Sequence, residues 1–270
     1  MPVTEVVDPA AAAAHLAACV REAGELALSM FRTPLKQWNK DGASPVCEAD
    51  IAVDRLLRER LTAARPGVAW LSEESADDPS RLTSRYVWIV DPIDGTRAFL
   101  SGSPDWTVSV ALVEKGRPIA ACLFAPATDE FFLASIGNGA TCNGAPIAAT
   151  RGASLTQARI AGPKSFVHRL TLLAPDLVVM PRVHSLALRL ARVAQGTLDI
   201  AVAGANSHDW DLAAADLLVH EAGGALAHVG GGTVLYNRAE LRHEILLAAG
   251  RERLAILNEY FGDERLVVRF

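Results

Sequence analysis

Apolar and polar positions along the chain follow two rhythms. Ala18, Val20, Ala23, Leu26, Ala27 and Met30 recur at helical spacing after Asp8-Pro9, an N-cap followed by a first-turn proline, so an amphipathic helix is predicted to about Phe31. The polar segment 36–44 predicts a loop or irregular hairpin, and the chain then turns helical with Ile51, Leu56, Leu57 and Leu61 inward. Val68 to Leu71 is a short strand. Tyr86 to Val90 is a β-branched and aromatic run that predicts a buried strand, followed by a short helix from Thr96 to Leu100. Trp106 to Val113, Pro118 to Phe124 and Glu130 to Ser135 predict an antiparallel meander, and Asn143-Gly144 a tight hairpin turn.

From about Ser154 strands and helices alternate: strand Arg159 to Ala161, a helix start at Gly162 to Ser165, strand Leu177 to Met180, helix Ser185 to Gln195 and strand Leu198 to Val202. A helix from Asp209 to Glu221 is closed by Gly223-Gly224, and strand Ile245 to Ala249 precedes a last helix near Arg253 to Phe261. The reading is an α/β (α+β) chain in two parts, an α+β part at 1–150 and an α/β part at 151–270. No linker or repeat separates them.

Composition narrows the function classes. With 270 residues, 50% hydrophobic and 21% charged, the chain is long enough for a full core, and a net charge of −5 with no long basic run excludes a nucleic-acid track. A small anionic substrate then requires a local cation, which points to bound metal. Cys19, Cys47, Cys122 and Cys142 form no C-x-x-C pair, so reduced thiols are expected. The alanine-rich opening at Ala10 to Ala14 lacks a basic leader, and no segment reaches the roughly 18 apolar residues of a membrane span; a cytoplasmic protein without membrane partner is expected.

Candidate chemistry gathers at strand ends. Asp91 and Asp94 follow the Tyr86 to Val90 run, flanking Ile93, whose carbonyl can also turn inward; the set is all-oxygen and suits Mg²⁺. Gly95 and Thr96 open the next helix, where free N–H groups can hold phosphate. The same residue types are ordinary turn formers, so Asp-Pro-x-Asp-Gly taken alone reads equally as a turn. Glu73-Glu74 ends the Val68 strand, and Asp50 and Asp211 lie in first helical turns, where ordinary capping is the competing reading.

Trp88 to Leu100 resembles the signature of the inositol monophosphatase family of Mg²⁺-dependent, lithium-sensitive phosphatases, Asp-Pro-(Ile/Leu)-Asp-Gly-Thr after an apolar strand. The likeness continues in Ser44-Pro45-Val46-Cys47-Glu48-Ala49-Asp50, in Ser72-Glu73-Glu74-Ser75, in Gly137 to Gly144, and in Trp210-Asp211-Leu212-Ala213-Ala214 with Glu221-Ala222-Gly223-Gly224. Cys47 stands where the family has threonine, which puts local hydrogen bonding in question, and Lys40 resembles a family lysine that reaches toward the metal loop.

The resemblance implies a layered α/β/α/β/α sandwich, usually dimeric. It implies two or three Mg²⁺ ions on Glu73, Asp91, the Ile93 carbonyl, Asp94 and Asp211. Glu73, Thr96 and Asp50 would order the attacking water, while Gly95, Thr96, Arg97, Ser185 and Asp211 would contact a small phosphorylated substrate. Inositol-cleaving members carry a glutamate seven residues before the Trp-Asp aspartate, where this chain has Gly204. Ser185-Leu186 resembles the Ser-Leu run of 3'(2'),5'-bisphosphate nucleotidases of sulfur assimilation, and Arg97 and Lys164 offer charge for a second phosphate. Cleavage of 3'-phosphoadenosine 5'-phosphate is therefore expected first, inositol-1-phosphate or histidinol phosphate next, a sugar bisphosphate as a further option, and a catalytically silent metal- or phosphate-binding regulator as the reading from another class.

Overall fold

The computed structural model describes residues 6–40 and 44–262. Asp8 accepts from Ala10 N (3.1 Å) and opens α1 (Pro9–Met30), which turns Leu16, Val20, Ala23 and Ala27 inward. A hairpin follows, β1 (Gln37–Lys40) against β2 (Ser44–Cys47); its expected connection at 41–43 lies outside the described residues. Then come α2 (Glu48–Ala64), β3 (Ala69–Ser72), β4 (Tyr86–Asp94) and the single turn α3 (Thr96–Leu100). The meander is β5 (Thr107–Glu114), β6 (Arg117–Ala125) and β7 (Glu130–Ser135), extended by β8 (Ala140–Cys142) and β9 (Ala145–Pro146). Together β3 to β9 form a seven-stranded sheet in sequence order, parallel only between β3 and β4. At the β8–β9 turn Asn143 (φ 50°) and Gly144 (φ 79°) both adopt the left-handed conformation that a two-residue hairpin demands.

The rest of the chain supplies β10 (Arg159–Ala161), α4 (Lys164–Leu173), β11 (Val178–Val179), α5 (Leu186–Ala194), β12 (Ile200–Ala203), β13 (Ser207–His208), α6 (Asp209–Glu221), β14 (Gly224–His228), β15 (Arg242–His243), β16 (Leu246–Gly250) and α7 (Arg251–Gly262). A five-stranded sheet runs β11-β10-β12-β16-β14, and β13 pairs with β15 apart from it. Side-chain alternation explains how these pieces stack. In β4, Tyr86, Trp88 and Val90 enter the core shared with α1 and α2, whereas Val87 and Ile89 enter the core shared with α5 and α6. A third core joins the far face of the five-stranded sheet to α4 and α7, which completes five layers, α/β/α/β/α, as the resemblance implies. The middle core draws on both halves of the chain, from Leu71 to Ala248.

Two expectations change. Ile51 is 41% exposed, because the inward stripe of α2 runs through Ala49-Asp50, Val53-Asp54, Leu57 and Leu61; two acids occupy places that a hydrophobicity pattern assigns to apolar residues. The segment Gly224–His228 is an edge strand paired with β16, where sequence reading has only the helix-closing Gly223-Gly224, and its small residues pack close against β16.

Candidate active site

Because β3 and β4 are parallel, their C-terminal ends reach the same edge, and the Ser72–Val90 register puts Glu73 beside Asp91; Glu73 N donates to Val90 O (3.3 Å). The β4–β5 ladder then shifts, with Asp91 opposite Ser109 and Asp94 opposite Thr107, so Pro92 and Ile93 bulge out between the acids. Asp211, in the first turn of α6, joins them: ligand oxygens of Asp91, Asp94 and Asp211 lie within 4.8 Å of one another. Glu73 stands outside that triad but lines the same cleft of about 210 Å³, as do Ile93, Gly95, Thr96 and Arg97.

The three acids are held differently. Asp94 Oδ2 accepts from Ser185 Oγ (2.5 Å) and Ala187 N (2.6 Å), and Oδ1 from Leu186 N (3.2 Å), so the unpaired N–H groups at the start of α5 are spent on this carboxylate. Asp211 Oδ2 accepts from His208 N (2.7 Å). Asp91 is 1% exposed and its Oδ1 has no hydrogen-bond partner among the described residues. Burial pushes the carboxyls of Asp91, Asp94, Asp211 and Glu73 upward; like charge adds to it, from Glu73 on Asp91 and from Asp211 on Glu73. Buried, mutually repelling oxygens with one orphan among them fit a hard divalent cation, which can coordinate several of them at once.

Around the triad the expected helpers meet. Asp50 Oδ1 accepts from Thr96 Oγ1 (3.0 Å), whose oxygen also lies 3.1 Å from the Ile93 carbonyl. Cys47 bonds Asp50 through both side chain and backbone: Sγ and N each donate to Asp50 Oδ2 at 2.8 Å, and burial followed by Asp50 pushes the thiol up to about 12. Lys40 Nζ donates to Glu73 O (2.8 Å) and pairs with Glu74 Oε2 (2.5 Å), clamping the acidic turn. Gly95 has φ 96°, and a Cβ there would stand 2.9 Å from Asp105 O, so no other residue fits. Asp209, at the start of α6, is fully buried against His243 and Asn237, while His208 stacks on Trp210.

Ser185 corrects an expectation. It is fully buried, its hydroxyl donating to Asp94 and accepting from Leu188 N (2.9 Å); it supports a carboxylate and starts a helix, and does not reach the cleft. Ser185→Ala should therefore cost about 1 kcal/mol of stability through the lost cap and weaken Mg²⁺ binding roughly tenfold or more. Thermal melting and calorimetric Mg²⁺ titration of the same preparation would check both.

The chain matches the inositol monophosphatase family over residues 8–264. It belongs to that family. It is 34% identical over 202 residues to an inositol-1-monophosphatase of Rhizobium meliloti (72% of this chain, 75% of the relative). It is 27% identical over 239 residues to a 3'(2'),5'-bisphosphate nucleotidase of Aggregatibacter actinomycetemcomitans (82% and 85%). The extragenic suppressor protein suhB of Bartonella henselae superposes with a TM-score of 0.83 at 29% identity, covering 94% of this chain and 99% of the other.

Beside the acid cleft this family member has a second, larger one of about 640 Å³, and Arg182 and His184 border both. Its polar wall carries Lys164, His168 and Arg189, its apolar wall Val167, Val179 and Met180. Arg189 is 7% exposed; Nη1 donates to Val183 O (3.1 Å), yet Nε has no partner, and burial lowers the guanidinium to about 10. Sequence reading missed Arg182, His184 and Arg189 as site residues. The available signal was an arginine set in the otherwise apolar run Leu186 to Leu190. Among the described residues no helix is long and apolar enough to cross a membrane.

Proposed function

We propose that this metal-dependent phosphomonoester hydrolase removes the 3'-phosphate of a 3',5'-bisphosphorylated nucleoside, 3'-phosphoadenosine 5'-phosphate first, to give AMP and phosphate. The observation that carries the reading is Arg189, a buried guanidinium lining a cleft that shares Arg182 and His184 with the acid cleft. A desolvated cation of this kind is costly unless an anion completes it, and a second phosphate is such an anion. Val167, Val179 and Met180 offer the apolar wall a base would lie on, and Gly204 leaves no carboxylate to read sugar-alcohol hydroxyls.

Asp91, Asp94, Asp211, the Ile93 carbonyl and Glu73 would hold Mg²⁺. When bound, the ion neutralises phosphoryl charge and lowers the pKa of a coordinated water. Thr96 has one hydroxyl proton, committed to Asp50 or the Ile93 carbonyl, so toward the attacking water it acts as acceptor and fixes that water's direction. Backbone N–H groups of Gly95 and Thr96, with Arg97 at the rim, would hold the scissile phosphate. A cytoplasmic homodimer belongs to the same reading; the four free cysteines support the reducing compartment, and gel filtration would check the assembly.

Inositol-1-phosphate is the second reading, favoured by the higher identity to the Rhizobium relative. Phosphate release at fixed Mg²⁺ from 3'-phosphoadenosine 5'-phosphate, inositol-1-phosphate and histidinol phosphate separates them. A kcat/KM at least tenfold higher for the nucleotide is expected; a preference for inositol-1-phosphate would overturn the nucleotide assignment.

A further inference from the structure

A polar chain, buried at Arg81, Asp209 and His243 and reaching the surface at Asp77, ties together two segments that carry cluster acids. Arg81 is 1% exposed and forks onto Asp77, Nε to Oδ1 (2.6 Å) and Nη2 to Oδ2 (2.9 Å). Its Nη1 donates to Asn237 Oδ1 (2.8 Å) and to the Arg238 carbonyl (3.0 Å). Asn237 returns a bond, Nδ2 to the Arg81 carbonyl (3.0 Å), and its backbone N donates to Asp209 Oδ2 (2.6 Å). Asp209 Oδ1 is closed by His243 Nε2 at 2.7 Å. One end of this chain, Asp77, lies four residues after Glu73, and the other, Asp209, two residues before Asp211.

A buried guanidinium carries a desolvation cost that its bonds only offset, and well-packed apolar residues would serve stability at least as well. What such a network supplies is a fixed geometry. Asn237 sits at φ 56°, a backbone conformation asparagine tolerates better than most residues, and both polar ends of its amide are engaged by Arg81. The β3 turn and the first turn of α6 each carry a cluster acid, Glu73 and Asp211, and these like charges repel each other.

We infer that Arg81 and Asn237 are positioning residues that lock the Glu73 turn against the start of α6, and that the lock sets the affinity of the site for its divalent cation. The inference rests on the metal-binding reading of the acids and is independent of which ester is cleaved. Outer groups that hold ligating side chains typically contribute 10–100-fold in metal affinity.

The test is calorimetric Mg²⁺ titration of metal-stripped protein, native against Arg81→Lys and Asn237→Gly, with melting curves of each. Lysine keeps a charge for Asp77 but lacks the fork, and glycine keeps the positive φ and the backbone bond to Asp209 while removing both amide bonds. A Mg²⁺ dissociation constant raised roughly tenfold or more, with kcat returning toward native at excess Mg²⁺, supports the lock. A purely structural role would lower Tm and leave the metal affinity of the folded protein in place, so folded variants that bind Mg²⁺ within twofold of native overturn it. Should Arg81→Lys not fold, Asn237→Gly decides alone. Native protein that binds no Mg²⁺ would instead sink the metal reading, and the lock with it.

Discussion

Asp91→Asn is expected to abolish turnover and, at the same time, to stabilise the metal-free protein at pH 8. Asp91 is buried with one oxygen unpartnered and faces like charge from Glu73, Asp94 and Asp211. An amide removes that repulsion, and relief of a buried unsatisfied charge contributes about 1–3 kcal/mol, or roughly 2–5 °C in Tm for a chain of this size. The sign follows from linkage. Burial and like charge raise the folded-state pKa above the ordinary value near 4, so the folded protein holds its proton more tightly than the unfolded chain, and stability falls as pH rises from about 4 up through the raised folded-state value. The advantage of Asp91→Asn therefore grows with pH and vanishes at low pH. Loss of a metal ligand should lower kcat on the order of 10³-fold, about 4 kcal/mol of barrier. Melting curves in chelator at pH 5 and pH 8, beside phosphate release in Mg²⁺, give both readouts; a variant less stable than native at pH 8 contradicts the electrostatic argument.

Arg189→Met carries the second large effect. Methionine fills the space of the stem, and removing a desolvated charge costs the fold little. If Arg189 binds a second phosphate, kcat/KM for 3'-phosphoadenosine 5'-phosphate should fall about 10- to 150-fold, the loss of a charge-assisted contact of about 1.5–3 kcal/mol. Monophosphate esters, which leave that place empty, should change by less than about threefold. Equal losses on both ester types would mean that Arg189 acts on the acids, since Asp94 and Asp211 also lie in its field.

The pattern of residues made much of this legible. The continuous apolar run Tyr86 to Val90 anticipated a buried strand, which the structure shows buried on both faces, the period from Ala18 to Met30 anticipated α1, and Asn143-Gly144 anticipated its hairpin. Asp91 and Asp94 stood out as acids after an apolar run, but local pattern read them equally as a turn; it is the fold that brings them together with Asp211. Asp211 and Glu73 were not readable from local pattern, since capping explains each equally well; the family motifs carried them. Ser185 was misassigned because a serine before a helix looks the same whether its hydroxyl faces a ligand or the back of Asp94. Arg81 and Arg189 escaped for the opposite reason: a cation reads as surface until tertiary packing buries it. The inward acids Asp50 and Asp54 displaced the expected α2 stripe in the same way.

The most direct measurement is phosphate release by chelator-stripped protein as Mg²⁺ is added back, with Asp91→Asn in parallel. The acid triad predicts no turnover in the stripped protein, a saturable return with Mg²⁺, and none in the variant. Turnover that persists without metal, or a variant that responds to Mg²⁺ as native does, would contradict the assignment of Asp91, Asp94 and Asp211 as the catalytic metal site.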